Sequence, residues 1–172
     1  MNWLKIWSAR VPPVICNTTP LIALRAIERL SILHDLFGEV LIPSAVEHEF
    51  LVADSATRRM TLDDSPWIKV RSLAEPAYAL TFSSLDRGEA EVLALALELN
   101  ARLVIIDERA ARKFAQRLAL PMTGTLGVLL LAKETGHLSA LRPEIERMQN
   151  AGLRLDADLI TAVLRRAGEA QS

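Results

Sequence analysis

The sequence has one cysteine, few aromatic residues and almost no net charge, and each scarcity excludes a class of protein. With Cys16 alone, neither an intrachain disulfide nor a cysteine-based metal cluster can form, which favours a reducing cytoplasm. Aromatic residues make up 5% of the chain, too few for an extended base-stacking platform. The 20 Lys and Arg residues against 21 Asp and Glu leave a net charge of −1, which excludes a strongly basic nucleic-acid binder but not a local basic patch.

Several familiar signals are also missing. No apolar run approaches the roughly 18 residues of a membrane helix, and the chain lacks both a phosphate-binding loop and a dinucleotide fingerprint. Residues 1–10 have no long apolar segment, so they are interpreted as an N-terminal extension rather than a signal peptide. Residues 11–172 are of a length typical of a single domain. Their longest apolar stretch, 126–132, fits either a core helix or a homodimer face.

Short apolar runs alternate with stretches of helical periodicity along the chain. Such alternation predicts an α/β fold, a three-layer α/β/α sandwich around a central parallel sheet. The polar stretch 55–65 is interpreted as a mobile loop. Strands are predicted at 11–16, 40–42, 67–70, 103–106 and 121–123, and helices at 20–30, 31–37, 44–54, 86–99, 108–118, 126–135, 140–150 and 157–166.

Polar residues follow several of the predicted strands. Asn17 ends the first strand and Asp107 ends the fourth, while acidic pairs lie near the start of two helices. Because the carboxyl ends of parallel strands share one edge with the following helix starts, these residues are expected to meet there. The acidic pairs are Glu47 with Glu49, and Glu89 with Glu91.

Helical phase selects one acid from each pair, because residues two apart point about 200° apart. Glu49 is in phase with the apolar Ala45 and Val46, and Glu89 is in phase with Val92 and Leu93. Glu49 and Glu89 are therefore expected to face the crevice. The partners in the two pairs, Glu47 and Glu91, are expected to face outward.

Carboxylates gathered at one edge repel each other unless they share a cation or bind protons. Oxygen ligands favour Mg²⁺ or Mn²⁺ over zinc. Such an ion next to a phosphate points to metal-assisted phosphodiester hydrolysis. Acids near helix starts are also ordinary helix caps, so the spacing alone leaves that structural alternative open.

Five segments of this chain carry a family pattern: 14–24 (VICNTTPLIAL), 41–49 (LIPSAVEHE), 85–91 (LDRGEAE), 104–112 (VIIDERAAR) and 124–133 (GTLGVLLLAK). These segments resemble PIN domains (PilT N-terminus), in particular one bacterial branch related to toxin ribonucleases. The resemblance covers most of the chain, and the segments occur in the family's order.

This resemblance implies a metal-dependent endoribonuclease that cuts single-stranded RNA, and it suggests a toxin restrained by a small antitoxin protein. The family's acidic metal and catalytic positions fall on Asn17, Glu49, Glu89 and Asp107. Asn17 departs from the family's usual aspartate. An amide oxygen still ligates a hard cation but brings no charge, so weaker metal binding is expected. The alternative is a degenerate PIN fold that binds RNA or a protein without cutting.

Two groups of basic residues are candidates for contacts with RNA phosphates, and both also fit a plain solvated surface. The start of the helix after Gly124 could likewise present N–H groups to a phosphate or form a simple cap. The basic groups are Arg109, Arg112, Lys113 and Arg117 on one helix, and Arg58 with Arg59 in the predicted loop.

Overall fold

The computed structural model describes residues 11–52 and 54–170. Within these residues the strands form one sheet of five, all parallel, in the order β3–β2–β1–β4–β5. Each strand overlaps a predicted one, and the parallel sheet confirms that prediction. The strands are β1 (Val14–Cys16), β2 (Val40–Pro43), β3 (Ile68–Arg71), β4 (Leu103–Ile105) and β5 (Met122–Thr123).

Helices flank the sheet, which confirms the predicted three-layer α/β/α sandwich. A 3₁₀ helix, Pro76–Phe82, occupies part of the stretch before α5. The α-helices are α1 (Thr18–Ala26), α2 (Ile32–Phe37), α3 (Ser44–Val52), α4 (Ser55–Asp63), α5 (Arg87–Glu98), α6 (Arg109–Arg117), α7 (Thr125–Glu134), α8 (Arg142–Asn150) and α9 (Ala157–Arg166). No helix in 11–52 or 54–170 is long and apolar enough to cross a membrane.

The main apolar core lies at the centre of the sheet, where every residue of β1 is buried. Helix α5 is buried continuously from Gly88 to Ala96, because it packs against both α3 and the 3₁₀ helix. This corrects the expectation that Glu91 faces outward, since its residue is 8% exposed. Helical spacing predicts which residues face solvent only when one side of the helix is exposed, and this part of α5 is buried on all sides.

The prediction of a mobile loop at 55–65 is wrong, because this stretch contains helix α4. Asp54 accepts a hydrogen bond from the Thr57 N–H at its start. Arg58 donates to the Phe50 carbonyl at 2.7 Å, and Arg25 donates to the Thr61 hydroxyl at 3.0 Å. These partners belong to other helices, so the polar composition of 55–65 alone does not predict the contacts.

Strand order creates the crevice that matters for function. β1 has β2 on one side and β4 on the other, so the connections after β1 and after β4 lead to opposite sides of the sheet. Ligands of open parallel sheets bind at this kind of switch point. Cys16 is in register with Ile105, and the Asn17 N–H donates to the Ile105 carbonyl at 3.0 Å. The ends of β1 and β4 therefore lie side by side. The predicted N-terminal extension, residues 1–10, falls outside the described residues.

Candidate metal and nuclease site

Asn17 lies at the switch point as the residue that links β1 to α1. It is 3% exposed, and its side-chain NH₂ donates to Glu108 Oε2 at 3.0 Å. Among the described residues, no donor reaches its other polar atom, the buried Oδ1. A buried unpaired amide oxygen costs about 1–3 kcal/mol, so this atom is a candidate ligand position rather than a neutral feature of the core.

Asp107 follows β4 and turns toward the start of α7. Its Oδ1 accepts the Thr125 backbone N–H at 2.8 Å, and its Oδ2 accepts the Thr125 hydroxyl at 2.5 Å. The N-terminus of α7 thus already has an anion, namely this carboxylate. Of the two alternatives for the helix start after Gly124, a phosphate site or a simple cap, the structure shows the cap, which the Asp107 carboxylate forms.

Glu49 projects from α3 toward the beginnings of two other helices. Its Oε2 accepts the Thr18 hydroxyl at 2.6 Å, and its Oε1 accepts the Gly88 N–H at 2.9 Å. A Cβ atom on Gly88 would lie 2.5 Å from the Glu49 carboxylate oxygens, so only glycine permits this approach. The neighbouring acid on α3, Glu47, instead pairs with Arg59 on α4 at 2.9 Å.

Glu89 and Glu91 are both buried but serve different neighbours. Glu89 forms a capping box at the start of α5, accepting the Asp86 N–H at 3.2 Å while its own N–H donates to Asp86 Oδ1 at 2.8 Å. Glu91 accepts the Ala45 N–H at 3.0 Å and pairs with Arg87. Glu91 therefore binds to the start of α3 instead of joining Asn17.

Glu108 is a member of this cluster that the sequence reasoning missed. It precedes α6 but makes no side-chain cap bond there, and its Oε1 accepts the Thr19 hydroxyl while Oε2 accepts from Asn17. The available signal was its place one residue after Asp107, beyond the end of β4. Adjacent residues in extended backbone point to opposite sides, so Asp107 turns to α7 and Glu108 to α1.

In this cluster, burial and neighbouring carboxylates raise the pKa values of two acids. Burial raises the pKa of Glu89, and the carboxylates of Asp86, Glu108 and Glu49 raise it further. Burial also raises the pKa of Asp107, and Glu108 adds to this, although the bonds from Thr125 and the charge of Arg112 act in the opposite direction. Both carboxyl groups are therefore stronger bases than ordinary carboxylates.

The donor atoms fit a hard divalent cation in kind. All are carboxylate, amide or hydroxyl oxygens, and the unpartnered Asn17 Oδ1 is a preformed neutral donor. Each carboxylate also accepts an N–H or O–H, as described above. Within 11–52 and 54–170, no three acidic, histidine or cysteine side chains are grouped closely enough to hold a metal ion by themselves. Any such ion requires the amide oxygen or a shift of the carboxylates.

The basic candidates divide into two groups. Arg58 stacks on the Phe50 ring and Arg59 pairs with Glu47, so both are used to hold α4. Arg112 donates to the Ile106 carbonyl at 2.9 Å beside the site. Arg109 is 90% exposed and lies 3.7 Å from Asp156. Of the predicted cations, these last two line the groove that opens beside Asp107 between α7 and α9.

Comparison with known proteins identifies a family for this chain. A family model described as a PIN domain matches residues 13–169. The match covers most of the chain and includes every residue of the cluster described above. No curated protein matches the chain.

Proposed function

This chain belongs to the PIN-domain family, and from that premise we propose that it is a metal-dependent endoribonuclease that hydrolyses phosphodiester bonds in single-stranded RNA. The family brings a nuclease-type fold; the substrate, the metal and the acting residues are the proposal. The observation that carries it is the buried Asn17 Oδ1, which lacks a partner among the described residues and lies within a cluster of carboxylates. An unpaired acceptor beside unneutralised acids is the environment that a hard cation satisfies.

Asn17, Glu49, Glu89 and Asp107 are the residues that would hold Mg²⁺ or Mn²⁺. When bound, such an ion activates water and stabilises charge on the oxygen displaced from phosphorus. The chain supplies the rest. Burial raises the pKa values of Glu89 and Asp107 in the metal-free protein, so a bound cation would relieve the cost of their negative charge.

A groove of about 880 Å³ opens beside Asp107 and gives RNA a path to the site. Four arginines line it, against three aspartates, and they are able to contact phosphates along a strand. With few aromatic side chains, binding is expected to follow the backbone more than the bases. The arginines are Arg109, Arg112, Arg154 and Arg166, and the aspartates are Asp107, Asp156 and Asp158.

A second candidate function is a PIN fold that binds RNA or a protein partner without cutting. Asn17 favours it, because it removes one negative charge from the family's set of four. The hydrogen bonds that already satisfy Glu49 and Asp107 also fit a purely structural use of those acids. Under the first function, the protein is proposed to act in the cytoplasm as a toxin with a small antitoxin partner. A homodimer through α7 is less favoured, because most residues of that helix are buried within the chain.

The discriminating experiment is cleavage of unstructured RNA by purified protein with Mn²⁺ or Mg²⁺. We expect cleavage by the parent protein and a loss of at least about 100-fold in Asp107→Asn, because a charged group on a rigid strand end is removed. Asp63→Asn, on the exposed face of α4, is the matched control and should cut like the parent. RNA binding without cleavage by the parent would favour the second candidate. Equal cleavage by the parent and Asp107→Asn would indicate a contaminating nuclease or another site.

A further inference from the structure

Glu108 makes contacts that its position in the sequence does not require. It is the residue before α6, where a side-chain oxygen can accept a hydrogen bond from the first turn of the helix, but Glu108 makes no such bond. Its carboxylate instead crosses the end of the sheet to the start of α1, where the Asn17 NH₂ and the Thr19 hydroxyl both donate to it. The side chain is therefore directed into the switch-point crevice.

The contact between Glu108 and Asn17 also fixes which way the Asn17 amide faces. An amide NH₂ donates to a carboxylate, whereas an amide oxygen in the same place would repel it. With Nδ2 at 3.0 Å from Glu108 Oε2, Oδ1 is the atom left buried and without a donor among the described residues. The Asn17 amide thus holds one Glu108 oxygen through its NH₂ and leaves its own oxygen as an open acceptor.

The negative charge on Glu108 affects the pKa values of two predicted ligands. It contributes to the raised pKa values of both Glu89 and Asp107, and also to that of the buried Cys16 thiol. None of the ion pairs among the described residues includes Glu108. Its negative charge therefore adds to the cluster at the ends of β1 and β4.

We propose that Glu108 is a fifth ligand residue of this site and supplies the negative charge that Asn17 does not carry. Asn17 offers Oδ1 to the divalent cation, and its NH₂ positions the Glu108 carboxylate beside that atom. The inference rests on the proposed metal-dependent function. In this arrangement the negative charge that the family carries at position 17 lies at position 108 instead. The total number of carboxylates remains four.

The test is isothermal titration of the metal-free protein with Mn²⁺, in which binding is measured directly and independently of cleavage. Glu108→Gln keeps an acceptor for the Asn17 NH₂ but removes the charge, so we expect Mn²⁺ affinity to fall at least about tenfold. Glu146→Gln, on the exposed side of α8, is the matched control and should bind like the parent. Asp107→Asn serves as the reference for the proposed function.

A charge-swapped double variant tests whether Glu108 is a metal ligand or only a hydrogen-bond acceptor for Asn17 and Thr19. Asn17→Asp with Glu108→Gln returns the carboxylate to position 17 and retains an amide–carboxylate hydrogen bond with its direction reversed. We expect this variant to recover most of the affinity lost in Glu108→Gln. Asn17→Asp alone places two carboxylates in contact, so its metal-free melting temperature should fall and its stabilisation by Mn²⁺ should grow.

The outcomes distinguish the inference from the function on which it rests. If Asp107→Asn weakens Mn²⁺ binding but Glu108→Gln does not, the metal site stands and Glu108 is only a hydrogen-bond acceptor for the Asn17 and Thr19 side chains. If Glu108→Gln weakens binding and the double variant fails to recover it while remaining folded by circular dichroism, the exchange of charge is refuted. If the parent does not bind Mn²⁺, both the metal site and the role of Glu108 are wrong.

Discussion

Carboxylates with low solvent exposure occupy two regions of this molecule, and the two differ in what lies opposite them. At the end formed by α7, α8 and the residues after α9, burial acts to raise the pKa of Glu169. The Lys133 ammonium and two backbone N–H groups outweigh that effect and lower the value to about 2. In the switch-point cluster, the pKa values of Glu89 and Asp107 are raised. The same kind of side chain is stabilised as an anion in one region and penalised in the other.

The difference lies in the supply of cations. Glu144, which is 4% exposed, pairs with Arg29 at 2.9 Å and with Arg147 at 3.4 Å, as Glu169 pairs with Lys133. Among the described residues, no Lys or Arg forms an ion pair with Glu49, Glu89 or Asp107. A structural carboxylate thus has its counter-charge within the chain, whereas the switch-point cluster has little of its own.

The strongest test of this contrast is a pair of isosteric substitutions with opposite expected effects on stability. Glu169→Gln places an NH₂ against donors at Leu141, Arg142 or Lys133, so the free energy of unfolding should fall by about 2 kcal/mol. Asp107→Asn keeps an acceptor for the Thr125 N–H, and the Thr125 hydroxyl is able to reverse its role. It should leave the metal-free protein as stable as the parent or more so.

Urea denaturation at pH 7 with a chelator present measures both effects, and the exposed Glu146→Gln provides the baseline. RNA cleavage should show the reverse order, with Glu169→Gln active and Asp107→Asn inactive. A loss of stability in Asp107→Asn as large as that in Glu169→Gln would remove the distinction between the two regions.

The second test addresses how Glu49 is held in the cluster. Gly88→Ala would bring a Cβ within 2.5 Å of its carboxylate, and the flexible Glu49 side chain should move away. It then loses its bonds to Thr18 and Gly88, worth about 2 kcal/mol together, against a gain of about 1 kcal/mol in helix propensity. A net loss of about 1 kcal/mol is expected.

A double-mutant cycle isolates this contact. In a Glu49→Ala background the obstructed carboxylate is gone, so Gly88→Ala should stabilise the protein by about 1 kcal/mol. The expected coupling is therefore about 2 kcal/mol, read from thermal or urea unfolding of the four proteins. Additive effects would mean that Glu49 does not depend on the open space at Gly88.

The positions of the strands could be predicted from the sequence, because each strand is a short apolar run and their parallel order follows from the intervening helices. Asn17 and Asp107 were also placed at one edge correctly, since both directly follow central strands. The prediction failed for α4 because the residues that hold it belong to other helices, Arg25 to α1 and Phe50 to α3. The sequence does not predict Glu108 as a site residue, because the predicted helix 108–118 includes it. The extended backbone at 107 and 108, which turns the two side chains to opposite sides, is visible only in the structure.

The smallest expected effect, and the last test of the comparison, is the response of the two regions to acid. The folded-state pKa of Glu169 is lowered, so its contribution to stability is present above its ordinary value of 4.5 and is lost as the pH falls toward about 2. The destabilisation in Glu169→Gln should therefore shrink across that window.

The folded-state pKa of Asp107 is raised, so its ionisation costs stability as the pH rises from its ordinary value of 3.8 through the folded value. Any advantage of Asp107→Asn at pH 7 should disappear below pH 3.8, where the parent carboxyl is protonated in both states. Unfolding of the chelated proteins by urea from pH 7 to pH 3 measures both differences. If the difference between Asp107→Asn and the parent keeps its size as the pH falls, the Asp107 carboxylate is not penalised, and the contrast between the two regions rests on packing instead of charge.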